Sequence, residues 1–137
     1  MKAIFADTSY YAALLNPADA LHGMTKAWSL KYRGRVVVTE YVLLELGSYL
    51  SRCPHRALFL QLVAEMQRDA QTEIISASPS LLRRGMSLFA GRPDKEWSLT
   101  DCLSFVVMKQ RRIAEALTAD HHFQQAGFRA LLLDGGS

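Results

Sequence analysis

Short apolar blocks alternate along this chain with longer stretches whose apolar residues return every three to four positions. The blocks KAIFA (2–6), RVVVT (35–39), TEIISA (72–77), AEALT (114–118) and RALLLD (129–134) predict strands. Between them, helices are expected over 8–16, 20–32, 40–52, 55–69 and 78–91. A long apolar helix should follow Ser98 as far as Arg111 and Arg112, and a short one should span 120–127. Punctuation supports these limits. Pro17 stops the first helix, Gly34 follows the second, Cys53-Pro54 breaks the third, Pro79 opens the fifth, and Gly127 closes the last. Within 55–69, Leu58, Leu62 and Met66 recur at i, i+4 and i+8 and mark one buried face. RPDKEW (92–97) reads as a charged loop.

Alternation of strand and helix predicts an α/β fold, a three-layer α/β/α sandwich around a mostly parallel sheet, in one domain over 1–137. In such folds ligands bind beyond the carboxyl ends of the strands, and that is where the acids fall. Asp7 and Asp120 each follow a predicted strand, and Asp101 lies in the first turn of the apolar helix. Glu45 lies mid-helix between Leu44 and Leu46, which leaves it either on a narrow exposed stripe or buried with a partner. Each acid also fits a bland role. Asp7 and Asp120 are good N-caps, and Ser98 with Asp101 resembles a capping box. If they face one sheet edge together, their like charges repel and call for a cation. A hard divalent ion such as Mg²⁺ suits an all-oxygen set of carboxylates.

Composition adds little to this picture but excludes much. Of 137 residues, half are apolar and 21% charged, the balance of an ordinary globular domain. No apolar run approaches the roughly 18 residues that cross a bilayer, and MKAIFADTSYY lacks the core of a signal peptide, so a cytoplasmic protein is expected. Cys53 and Cys102 make no disulfide framework, and Cys102 reads as a small buried hydrophobe. With four of the thirteen acids neutralised in a cluster, sixteen cations would face nine acids, a surface suited to nucleic acid.

Asp7 in FADTSYYAALLN, Glu45 in TEYVLLELGSYL, Asp101 in WSLTDCLSFVVM and Asp120 in ALTADHHFQQAGF resemble, in order and spacing, the four acidic motifs of PIN-domain nucleases. The chain's length is similar to that of the single-domain toxin ribonucleases of VapBC-type toxin–antitoxin pairs. The resemblance implies an endoribonuclease dependent on Mg²⁺ or Mn²⁺, in which these four acids bind the metal and the attacking water, leaving a 5′-phosphate and a 3′-hydroxyl. It also implies an RNA substrate, a small antitoxin partner and a homodimer. Thr8 and Thr118 match hydroxyl positions beside the family's acids, and Ser98 is a further one. These would orient a carboxylate or touch phosphate, and they serve equally as turn and cap hydroxyls. Glu40 is a rival to Glu45, set aside because only Glu45 sits inside LLEL. Many members carry a further acid two to four residues after the last motif aspartate. Here those positions hold His122, Phe123 and Gln124; His121 and His122 are read as exposed residues at a helix start, with binding of substrate phosphate as the alternative.

Arg92 and Lys95, just before the third motif, are expected to hold RNA through phosphate. A non-catalytic PIN fold that binds RNA or protein is the alternative. A haloacid-dehalogenase phosphatase would need a second acid two residues after Asp7, where Ser9 stands.

Overall fold

The computed structural model describes residues 2–133. At its centre β1 (Ile4–Ala6), an apolar triplet buried on both faces, pairs in parallel with β2 (Val36–Thr39) on one side and β4 (Glu115–Leu117) on the other. β3 (Thr72–Ile75) and β5 (Arg129–Ala130) complete the sheet in the order β3-β2-β1-β4-β5, every pair parallel. Strands buried on both sides read as unbroken apolar runs, and IFA and VVV are such runs.

The helices are α1 (Thr8–Leu15), α2 (His22–Lys31), α3 (Glu40–Tyr49), α4 (His55–Arg68), α5 (Pro79–Gly91), α6 (Leu99–Arg111) and α7 (His121–Gln125). Parallel neighbours are joined by right-handed crossovers. The steps from β1 to β2 to β3 therefore place α1 to α4 on one face. The return from β3 past β1 to β4, and on to β5, places α5 to α7 on the other. Most contacts group in the same way: α1 touches α2 and α3, α3 touches α4, and α6 touches α5 and α7, while α3 also reaches α6 and ties the two groups together. This is the three-layer sandwich expected. Because the chain runs outward from β1 in both directions, the crossovers that follow β1 and β4 diverge and leave a crevice at their carboxyl ends.

α6 is the central beam of the second layer. Cys102, Leu103, Phe105, Val107 and Met108 are all buried, and the Phe105 ring stands edge-on to Trp97 and Phe123 at 5.0 and 4.9 Å between centroids. α5 lies against it at Gly85, where a Cβ would come within 2.7 Å of Leu103 Cγ. Alanine favours a helix over glycine by about 1 kcal/mol, but overpacking a filled core costs roughly 1–3 kcal/mol. Gly85→Ala should therefore destabilise the fold, seen as a lower denaturation midpoint at unchanged slope. A midpoint equal to or above wild type would show that the α5–α6 contact has room to give.

Most boundaries are shorter than the sequence pattern suggests. α3 stops at Tyr49 rather than at 52, and its start is fixed by the Thr39 hydroxyl accepting from Val42 N. α2 begins at His22 rather than at 20, because Asp19 closes a turn by accepting from Leu21 N. Leu62 and Met66 are buried as expected, whereas Leu58 is 38% exposed. Phe59 closes that turn instead, lying over Gly47 of α3. The last strand, expected over 129–134, ends at Ala130, since Leu133 N turns back to Ala130 O at 3.1 Å. Asp134 lies outside the described residues.

Candidate active site

The crevice beyond β1 and β4 holds the predicted acids. Asp7, Glu45, Asp101 and Asp120 all line one cleft of about 450 Å³, together with Thr8, Ser9, Ser98, His122 and a further acid, Glu96. Among the described residues, no lysine or arginine lines it.

Asp7 follows β1 directly, and its amide continues the strand ladder by donating to Leu117 O at 3.1 Å. It occupies the N-cap position of α1, yet its carboxylate makes no cap hydrogen bond. Oδ2 instead accepts from the Thr118 hydroxyl at 2.9 Å and from the Ser9 hydroxyl at 3.2 Å. Those hydroxyls in turn accept the amides that follow β4, Asp120 N on Thr118 and Ala119 N on Ser9. The network joins the ends of both strands and fixes one carboxylate. Only 5% of Asp7 is exposed. Burial, helped by the charges of Asp101 and Glu45, pushes its carboxyl up to about 6 against the hydrogen bond from Thr118.

Asp101 and Asp120 hold both the bland role and a place in the cleft. Ser98 Oγ accepts from Asp101 N at 3.0 Å and Asp101 Oδ2 accepts from Ser98 N at 3.1 Å, a complete capping box. Asp120 caps α7 by accepting from His122 N at 2.9 Å. Asp101 is buried, and burial raises its carboxyl above the ordinary value, with the Asp120 charge adding to the rise and His122 opposing it. Glu45 resolves the choice posed by its sequence in an unexpected way. It is exposed, as a stripe residue would be, and it has a partner, accepting from the Thr8 hydroxyl at 2.6 Å. Glu40 points elsewhere, accepting from Ala77 N ahead of α5.

His122 departs from expectation. Its side chain is 19% exposed rather than free in solvent, and Nδ1 lies 3.1 Å from Asp101 Oδ2 and 3.3 Å from Asp120 Oδ1. Ionised carboxylates only accept, so this contact needs the proton on Nδ1. Among the described residues, Asp120, His121 and His122 form a set of three whose ligand atoms all fall within 4.8 Å of one another. The His122 imidazole thus touches both Asp101 and Asp120, and its N–H is hydrogen-bonded to Asp101. His121 remains exposed, as read.

The expected RNA-holding cations are not brought to the cleft. Arg92 is bound bidentately to Asp94 at 3.0 and 2.9 Å and lies over the Trp97 ring. It lines a separate cavity between α5, α6 and α7 with Arg84 and Lys109. Lys95 does not line the cleft either. Ser9 and Glu96 were the residues missed. Ser9 was legible as the third letter of D-T-S, but Glu96 stands in an aperiodic loop that offers no signal.

As chemistry, the donors are carboxylate and hydroxyl oxygens with one imidazole, which fits a divalent cation. Asp7, Glu45, Asp101 and Asp120 share the cleft, and among the described residues the ligand atoms already close enough for one ion are those of Asp120, His121 and His122.

The model of the family described as PIN domain matches residues 4–129. The chain is 32% identical over 126 residues to the 23S rRNA-specific endonuclease VapC20 of Mycobacterium tuberculosis in two strains, covering 91% of this chain and 95% of the relative. The crystal structure of the Mycobacterium tuberculosis VapC20, described as a sarcin-ricin loop cleaving toxin, superposes with a TM-score of 0.82 at 28% identity over 91% of this chain and 95% of that one. FitAcB from Neisseria gonorrhoeae shares the fold at a TM-score of 0.60 and 17% identity, over 93% and 94% of the two chains. With the acids of its four motifs gathered at the strand ends and the family model matched over nearly its whole length, this chain belongs to the PIN-domain family.

Proposed function

We propose that this protein is a divalent-metal-dependent endoribonuclease, the toxin of a toxin–antitoxin pair, working in the cytoplasm as a single domain over 1–137. The reading is carried by one observation: Asp7, Glu45, Asp101 and Asp120 line a single cleft without a lysine or arginine, at the switch point between β1 and β4. Similarity to a toxin named for cutting 23S rRNA supports RNA as the substrate.

The bound ion, Mg²⁺ or Mn²⁺, supplies Lewis-acid activation of water and screens charge on the scissile phosphate. The chain's own groups do the positioning. Thr118 and Ser9 fix Asp7 through Oδ2, Thr8 steadies the exposed Glu45, and the capping box and the His122 contact hold Asp101 to one orientation. A carboxylate mounted on the first turn of a buried helix cannot drift as one on a loop would. In-line attack on phosphorus then leaves a 5′-phosphate and a 3′-hydroxyl. Exposed Glu45, Tyr49 and Glu96 form the rim over which RNA must pass.

Partner surfaces support the antitoxin and homodimer parts of the reading. α5 exposes Leu82, Met86 and Phe89 at i, i+4 and i+7, and α3 exposes Leu44 and Tyr49 beside the cleft. Light scattering on purified protein, with and without the product of a neighbouring small gene, tests both.

The direct test is cleavage of single-stranded RNA and of 23S rRNA by the purified chain with Mg²⁺ or Mn²⁺. Fragments bearing 5′-phosphates, lost in EDTA, are expected. Intact RNA with either ion, or cleavage that survives EDTA, overturns the proposal. Thr118→Val removes the hydroxyl that binds Asp7 and receives Asp120 N, at a residue that is fully buried and does not itself line the cleft. Outer hydrogen-bond partners of this kind are worth about 10–100-fold in metal affinity or activity, so a loss in that range is expected from metal titration and from cleavage rates.

A further inference from the structure

Resting on the proposed metal site, we infer that His122 is a nitrogen ligand in it, so that the centre favours a Mn²⁺-class transition ion over Mg²⁺. The geometry is that of a shared ligand position. Two donors bound at right angles to one ion at about 2.1 Å stand roughly 3.0 Å apart. His122 Nδ1 stands 3.1 Å from Asp101 Oδ2 and 3.3 Å from Asp120 Oδ1. Nδ1 shares a hydrogen bond with Asp101 Oδ2 and stands at contact distance from Asp120 Oδ1, so a cation bound at Nδ1 is within reach of either carboxylate. On binding, the single ring proton of the neutral imidazole moves from Nδ1 to Nε2, which leaves the Nδ1 lone pair for the ion.

Local backbone structure presets the arrangement. His122 N donates to Asp120 Oδ1 at 2.9 Å, so a single turn fixes the carboxylate and the ring that follows it. The His121 ring packs against His122 with centroids 4.4 Å apart and limits its rotation. Asp7, Glu45, Asp101 and Asp120 offer only oxygen, and the exposed His121 is the other imidazole near Asp120. Hard Mg²⁺ gains nothing from imidazole and keeps water at that position, whereas Mn²⁺ and the later first-row ions accept nitrogen. An acid at position 122 would leave an all-oxygen site. Histidine there makes a mixed one.

The experiment uses the full chain, stripped with EDTA and titrated with MnCl₂ or MgCl₂ by calorimetry, with pulsed EPR on the Mn²⁺-loaded protein. Wild type should bind Mn²⁺ about tenfold or more tighter than Mg²⁺, and His122→Asp should shrink that ratio by about tenfold. Nitrogen modulation on the Mn²⁺ signal should be present in wild type and in His121→Ala and absent in His122→Ala. Absence of nitrogen modulation in wild type, its survival in His122→Ala, or its loss in His121→Ala instead, overturns the assignment, as does an unchanged metal ratio in His122→Asp. Asp101→Asn separates the two layers of the claim: unaltered Mn²⁺ binding in that variant overturns the metal site itself.

Discussion

Asp101→Asn is expected to remove RNA cleavage while leaving the protein folded, with a loss well beyond the roughly 10–100-fold that outer hydrogen-bond partners account for. The fold should survive because the capping box needs only an acceptor on residue 101, and the asparagine carbonyl accepts from Ser98 N as the carboxylate does. Cys102, Leu103 and Phe105 continue to hold the helix in the core. What disappears is one negative charge at the centre of the cleft, between Asp7 and Asp120. Cleavage and melting temperature measured on the same preparation separate these effects. A variant that melts like wild type and still cuts RNA at a comparable rate would mean that Asp101 is a cap and nothing more.

Asp7→Asn should instead raise stability. Burial pushes the Asp7 carboxyl from 3.8 up to about 6, so the folded chain retains a proton that the unfolded chain has released. Over that interval the folded state binds more protons, and the Asp7 contribution to stability therefore falls as pH rises. Above it, ionised Asp7 destabilises the metal-free fold by about 3 kcal/mol, at about 1.4 kcal/mol per pH unit. Asparagine removes that cost, and its carbonyl can occupy the Oδ2 position that accepts from Thr118 and Ser9. In EDTA, the variant should melt several degrees above wild type at pH 8 and close to it at pH 4. A divalent ion should narrow the gap by stabilising wild type alone. A variant no more stable than wild type at pH 8 would sink the idea that this carboxylate is strained in the empty cleft. Cleavage should be lost in either case.

Position in the chain disclosed much of this site and little of its wiring. Asp7 and Asp120 were legible because acids that follow buried strands of a parallel sheet must come out at the same edge. Asp101 was legible as a capping residue from Ser98 three positions before it. What pattern could not show is that Asp101 and Asp120 cap their helices and also face the cleft, whereas Asp7, which looks equally like a cap, makes no cap bond at all. Arg92 looked well placed for RNA, but Asp94 two residues on captures it and Trp97 lies beneath it. Local pairing overrode the topological argument. His122 was misplaced for a related reason. Exposure cannot be read from a helix start, and this ring turns inward to share a hydrogen bond with Asp101, a carboxylate of a distant segment, beside its own neighbour Asp120.

The amino-acid sequence by itself determined the strands, the helices and the edge of the sheet on which the acids emerge. Those follow from apolar periodicity and chain direction, which are local. Tertiary structure alone decided which side chains meet. Thr118 reaches Asp7 across 111 positions, Thr8 reaches Glu45 across 37, and His122 reaches Asp101 across 21. No periodicity encodes those distances, because they arise when right-handed crossovers bring β4 back beside β1 and set three loops around one crevice.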